Sequence, residues 1–486
     1  WDTRDAAIKS VKPSSTAGTG EGNHVFWTGA VAGPDQLRQR VAFALSQIFV
    51  ISMQDGCGGD HAQGSASYMD MLVNNAFGTY RNLLEAVALH PVMGCYLSHL
   101  RNQKEDATTG RVPDENFARE VMQLFSIGLY QLNTNGALKT NSAGKPIETY
   151  KPEDIAGLAK VFTGWSWDCP NWPSNSCFKW GADGNNVYTD KWARNMRPYA
   201  QYHSTSAKSF LGVTIAAQTT ADPAASLKVA LDTLAKHPNV GPFIGKQLIQ
   251  RLVTSNPSPA YVQRVAQAFK SSGGSLQATV RAILMDSEAR DMTQLKSTTF
   301  GKVREPVLRL SALLRAYGAQ SATGSYLLWN TSDPATSLGQ NILWSPSVFN
   351  FYRPGYTPPG SATAAAKLVA PEMQLVHETS APGYVNFMRT VVSWGLGAGG
   401  YDNSSSTPDV RLEYITNTSS ATLALTSDPA ALVEDINQKL MYGTMSASLK
   451  TLIVNAISTL SSTYPLGRVR AAMLLAVSSP EFQVQR

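Results

Sequence analysis

A narrow polar stripe of four side chains runs along a largely apolar helix in the stretch PDENFAREVMQLFSIGL, residues 113–129. Asn116, Arg119, Glu120 and Gln123 stand three and four residues apart, so on a helix their side chains are neighbours. A carboxylate beside a guanidinium on an apolar helix can do acid/base work, because desolvation raises a carboxyl pKa while the cation lowers it. Cleavage of a glycosidic bond needs two carboxyls with separated pKa values. On this reading Glu120 and Arg119 are the catalytic pair, with Asp114, Glu115 and Asn116 beside them and Glu372 as a distant second carboxylate. The alternative is structural: the same charges form ion pairs that lock the helix into the core. Either way Arg119 and Glu120 are expected to be buried and bonded to other segments.

A second group of residues suits the binding of flat ligands. Residues 165–199 hold Trp165, Trp167, Trp172, Trp180 and Trp192, half of the ten tryptophans, and helical periodicity is absent there. Trp165, Trp167, Trp172 and Trp180, with His203 closing the segment, are candidates for stacking on a sugar ring or another planar amphipathic ligand. They could equally fill a satellite core under a long loop. His203 with Lys208 is a weak pair by itself, and Cys57, Asp60 and His61 in a glycine-rich loop read as solvated groups before metal ligands. No metal and no cofactor is expected.

The elements that position these residues are helices. Leu37, Val41, Ala44, Leu45, Ile48 and Phe49 form a core stripe after Pro34-Asp35, and in the motif helix Phe117, Val121, Leu124 and Gly128 share one face. Further helices are expected at 68–77, 82–89, 91–100, 226–236, 242–253, 260–271, 276–285, 302–317, 370–379, 384–392, 429–441, 448–460 and 467–478, with one opening at Pro152-Glu153-Asp154. Residues 133–149 carry Asn-Gly and Ala-Gly turn signals and read as a hairpin or loop. Sustained period-two alternation is absent, as is a fixed repeat. The expected fold is all-α: an irregular lead-in at 1–34, then one large helical domain at 35–486, an irregular bundle or an α/α toroid. Two aromatic insertions, 165–210 and 326–360, interrupt it.

Composition bounds the function. Over 486 residues the chain is 43% hydrophobic and 16% charged, a globular balance. A net charge of +6 spread without any Lys/Arg run argues against nucleic acid as a partner. The longest apolar run, 41–53, is interrupted by Ser46 and Gln47 and is too short to span a bilayer. The chain starts at Trp1 without a leader, as a processed or trimmed form would. Four cysteines without a CxxC leave three connectivities. Cys169–Cys177 with Cys57–Cys95 is favoured because the first pair brackets a short Pro/Asn/Ser-rich loop; four reduced thiols are the alternative. Motifs for zincins, dinucleotide sites, P-loops, nucleophile elbows and EF-hands are absent.

Long motifs carry a family resemblance. PDENFAREVMQLFSIGL, YKPEDIAGLAKVFTGW and RVRAAMLLAVSSPEFQVQR, with QLRQRVAFALSQIFVIS, HPNVGPFIGKQLIQRLV and REPVLRLSALLRAYG, resemble the bacterial exported-protein family named domain of unknown function 1800. The resemblance covers nearly the whole chain and implies export, to the periplasm, the cell surface or the medium. Two positions depart from its pattern. Leu45-Ser46-Gln47-Ile48-Phe49 stands where many members carry a His-rich helix tip, and His203-Ser204 where many have a His-Asp pair. Two functions are therefore expected: a hydrolase or lyase acting on polysaccharide, or a non-enzymatic component of the cell envelope that docks a polymer or a second exported protein.

Overall fold

The computed structural model of the chain describes residues 1–183, 186–188, 190–399 and 405–486. The fold is mostly helical, and the strands among the described residues are two- or three-residue pairs. Helix starts follow local chemistry. Asp222 caps Pro223–Lys236, Ser258 caps Pro259–Ser271 and Asp428 caps Pro429–Met441, each by accepting a backbone N–H, with proline at the first helical position.

Most helices fall where the apolar periodicity places them. Three differ. Residues 1–34 are not an irregular lead-in: Asp2–Val11 and Thr19–Ala32 are helical, and the second buries Phe26 and Trp27. Its three glycines mask the pattern, since tertiary burial of one aromatic face outweighs low propensity. The motif helix runs only from Asn116 to Gln123. Gly128 has φ +71°, and a Cβ there would meet the Phe243 ring at 2.7 Å, so the chain turns where only glycine fits. The 370–379 segment holds only a 3₁₀ turn, Pro371–Leu375.

A continuous apolar core runs from Phe26 to Phe482. At its centre lies Val240–Leu252, in which every residue is buried except Phe243 and Lys246. Gly241 and Gly245 let the Pro259–Ser271 helix approach closely: a Cβ at Gly245 would lie 3.1 Å from Val265. The face at 240, 244 and 248 enters the core. The face at 243, 246, 247 and 250 looks into a cleft.

Two other parts shape that cleft. Residues 129–149 fold into a small arm of three mutually paired segments, with Gln131 N–H to Ile147 O at 2.8 Å, Lys139 N–H to Gln131 O at 2.8 Å and Ile147 N–H to Lys139 O at 3.0 Å. Its turns sit at Gly136 and Gly144, both with positive φ. The buried Asn239 side chain holds the arm's base: its Nδ2 donates to the carbonyls of Ile127 and Tyr130, both at 2.8 Å, and its Oδ1 accepts the Leu132 N–H at 2.9 Å. The second part is the aromatic segment 326–360, which has little regular structure yet buries Tyr326, Leu338, Ile342 and Tyr352. The short strand Lys302–Val303 pairs with Val484–Gln485 and thereby fixes Lys302 in the interior.

The cysteines pair as Cys57–Cys95 and Cys169–Cys177. The second pair packs with Phe178 and Tyr199 in a small satellite core. Positions 184, 185 and 189 of the tryptophan-rich insert lie outside the described residues. No helix among the described residues is long and apolar enough to cross a membrane.

Candidate functional site

The motif helix does not assemble the carboxylate site that its spacing suggests. Asp114, Glu115 and Asn116 are exposed at its start, where Asp114 Oδ1 accepts the Asn116 N–H at 2.9 Å and the Ser98 hydroxyl at 3.1 Å. These are turn and capping bonds. Arg119 is exposed, contrary to expectation, and its one ion pair among the described residues is with Glu115 one turn back, at 3.5 Å. Its position falls on the solvent side of a helix whose buried face is Phe117, Val121 and Met122. Glu120 alone is buried, and burial pushes its carboxyl above the usual range while Arg119 opposes the shift. Its Oε2 has no hydrogen-bond partner. No hydrogen bond joins Glu120 to Asp114 or Glu115 among the described residues.

The tryptophan wall is also divided. Trp165 and Trp167 are 4% exposed and sit in the main core, so neither ring has a free face for a ligand. Trp172 and Trp180 are exposed, and Trp172 already lies under the Arg197 guanidinium. His203 is fully buried, bonded through Nδ1 to the Thr163 carbonyl at 2.8 Å and through Nε2 to Ser226 Oγ at 3.1 Å, and burial lowers its pKa to about 4. It is a core histidine, not a ligand contact. Lys208 is buried too, bonded to Ser206 O and Gln218. His61 stacks on Trp192, and no group of three His, Cys, Asp or Glu among the described residues could hold a metal ion.

The structure instead gathers ionisable groups elsewhere. Lys302 Nζ lies 2.8 Å from Glu372 Oε1 and 3.9 Å from Glu305 Oε1, and all three side chains are buried. Lys302 also donates to the Arg251 carbonyl at 2.9 Å. Glu305 Oε2 accepts from Gln340 Nε2 at 2.7 Å and from Gln47. Gln47 Oε1 in turn accepts the Tyr352 hydroxyl at 3.3 Å, and the Gln47 carbonyl accepts from Arg251 at 3.0 Å. Arg40 donates to the Arg251 carbonyl. Three cations thus face two carboxylates, and buried Arg309 adds a fourth cation at the edge. The excess positive charge is costly: burial lowers the pKa of both Arg40 and Arg251. Arg40 Nη1, Arg251 Nε and one oxygen each of Glu305 and Glu372 lack hydrogen-bond partners.

Arg251 belongs both to this network and to the cleft. The cleft is a cavity of about 550 Å³ between the Val240–Leu252 helix, the end of the motif helix, the arm and the 348–355 stretch. Its polar lining is Gln47, Gln123, Gln247 and Gln250 with Lys246, Arg251 and Arg353, and it contains no carboxylate. Lys246 and Arg353 stand exposed at its rim, and no described carboxylate pairs with either. Gln123, from the original polar stripe, reaches the cleft and accepts the Tyr150 hydroxyl at 3.1 Å. Gln47, Arg251, Lys302, Glu305, Gln340 and Tyr352 are not among the site residues that spacing suggests; the available signal is polar residues within apolar helices, as in GKQLIQRLV and FALSQIFV.

No curated protein and no solved structure matches the chain. The family described as Protein of unknown function (DUF1800) matches residues 5–484. Over essentially its whole length, then, this chain is a member of the DUF1800 family.

Proposed function

We propose that the protein is an exported binding component that captures an anionic ligand in the cleft beside the Val240–Leu252 helix. One observation carries this reading: the lining has three cations and four amides without a carboxylate, and behind it lies a buried cluster with excess positive charge. An anion docked at Arg251 would supply the charge that the cluster lacks. Export is supported by the pairing of all four cysteines, which suits an oxidising compartment. Calorimetric titration with matched acidic and neutral ligands tests the reading. The acidic member of each pair should bind at least about tenfold more tightly, the value of one charge-assisted contact, and Arg353→Gln should remove the preference. Equal binding of neutral and acidic members refutes it.

Glu120 keeps a second reading open, a polysaccharide-acting hydrolase or lyase. A desolvated carboxyl with a raised pKa and an unpartnered oxygen is suited to hold a proton for a leaving group. Trp172 and Trp180 keep exposed rings that could stack on a glycan. A screen of exopolysaccharides and cell-wall glycans decides it. Cleavage lost in Glu120→Gln at unchanged melting temperature establishes the enzyme, and no turnover on any glycan removes it.

A further inference from the structure

The walls of the cleft narrow the ligand class. Leu124, Leu129, Leu132, Leu138, Phe243 and Val348 line the space, and its cations are Arg251, Lys246 and Arg353. Its volume of about 550 Å³ lies within the range of ordinary small-ligand pockets. Side-chain acceptors are scarce. Gln47 and Gln123 engage their amide oxygens with the hydroxyls of Tyr352 and Tyr150, and Gln247 turns its own toward Arg251 at 3.4 Å. Among the lining side chains only Gln250 has an amide oxygen with no such bond. A polyhydroxylated ligand would bring many O–H donors into a site whose side-chain acceptors are four amide oxygens, three of them already engaged, and each unpaired buried donor is costly. A ligand with one acidic head and an apolar body meets neither obstacle.

We infer that the cleft binds an amphipathic monoanion, with a carboxylate or phosphate head at Arg251, Lys246 and Arg353 and an apolar chain along the leucines of the arm and Phe243. This inference rests on the cleft being an anion site and adds the chemistry of the ligand's body. Arg251 lines the cavity and its buried Nε has no hydrogen-bond partner, so its guanidinium is the part of the lining with an unmet donor.

Four probes test it by titration into the full chain: dodecanoate, dodecanol, trigalacturonate and phosphatidylglycerol vesicles. Dodecanoate should bind about tenfold more tightly than dodecanol, and trigalacturonate should give no heat. Arg353→Gln, at the exposed rim where folding is not at stake, should weaken dodecanoate about tenfold and leave dodecanol unchanged. Leu132→Asp should abolish dodecanoate binding. Sedimentation with the vesicles that depends on Arg353 would support the same chemistry with membrane lipid as its source, and dodecanoate binding without sedimentation would support a free amphiphile. If trigalacturonate binds through Arg353 and dodecanoate does not, the amphiphile is overturned while the anion site stands. If dodecanol binds as tightly as dodecanoate, or neither anion binds, both readings fall.

Discussion

Replacing Lys302 with methionine removes the only cation within 4 Å of Glu372 among the described residues, a carboxylate that is 2% exposed and already has one oxygen without a hydrogen bond. Breaking a buried pair in this way costs about 3–5 kcal/mol, because the surviving carboxylate loses its direct partner in the interior. For 486 residues the entropy of unfolding is about 1 kcal/mol per degree, so the melting temperature should fall by about 3–5 °C. The sign of the cluster sharpens the expectation. Removing a carboxylate instead, by Glu372→Leu, enlarges the positive excess shared by Arg40, Arg251 and Lys302, so it should destabilise more than Lys302→Met does. The double variant Lys302→Met/Glu372→Leu leaves neither charge orphaned and should recover a large part of the loss. Differential scanning calorimetry of the three variants reads all of this. A Lys302→Met protein melting within about 1 °C of the parent would show that the pair is solvated, and the reasoning about buried excess charge would fail with it.

Arg119→Ala should cost no more than about 0.5 kcal/mol by chemical denaturation, since its one ion pair is an exposed contact within a single helix. A loss of several kcal/mol would restore the buried stripe expected from sequence. His90, His99 and His203 are buried, with pKa values lowered by desolvation to about 3, 4 and 4. Each is neutral in the fold but gains a proton on unfolding below its ordinary value of 6.5, so stability should be full above that pH and fall towards pH 4 by about 3 kcal/mol per histidine. Denaturant titrations at pH 7, 5.5 and 4 check the slope, and a flat profile contradicts it. Chain entropy gives the Cys57–Cys95 link, which closes 38 residues, about 4 kcal/mol, against about 2.5 kcal/mol for the 8-residue Cys169–Cys177 link. Paired Cys→Ala variants should rank in that order by melting temperature, and the reverse order would refute the loop-length account.

Helix positions were legible because burial imposes a 3.6-residue period: Leu227, Leu231 and Leu234, or Val262, Val265 and Phe269, mark their inner faces in the sequence itself. The cysteine pairing was legible from loop length. The arm at 129–149 was only half legible, since Asn-Gly and Ala-Gly marked its turns but its segments are held by a side chain from position 239. The charged cluster was not legible. Its members come from positions 40, 47, 251, 302, 305, 340, 352 and 372, and no local spacing reveals that Lys302 meets Glu372 across seventy residues. The motif helix misled for a related reason. Spacing shows which side chains are neighbours on one helix but not which way that helix turns its polar edge, and Arg119 faces solvent while Glu120 does not.

The Asn239 amide replaces a strand edge with a single side chain. The three segments of the arm satisfy one another's backbone groups, so breaking any one bond inside it gains little freedom, whereas releasing the three contacts at position 239 would free the whole unit at its root. Leu129, Leu132 and Leu138 travel with that unit. If the arm opens as one unit, the amides of residues 131, 139 and 147 should exchange with deuterium at a common rate, and separate rates would show independent openings. A side-chain swap as small as Asn239→Ala would then set the residence time of whatever occupies the cleft, from outside the cleft's own lining.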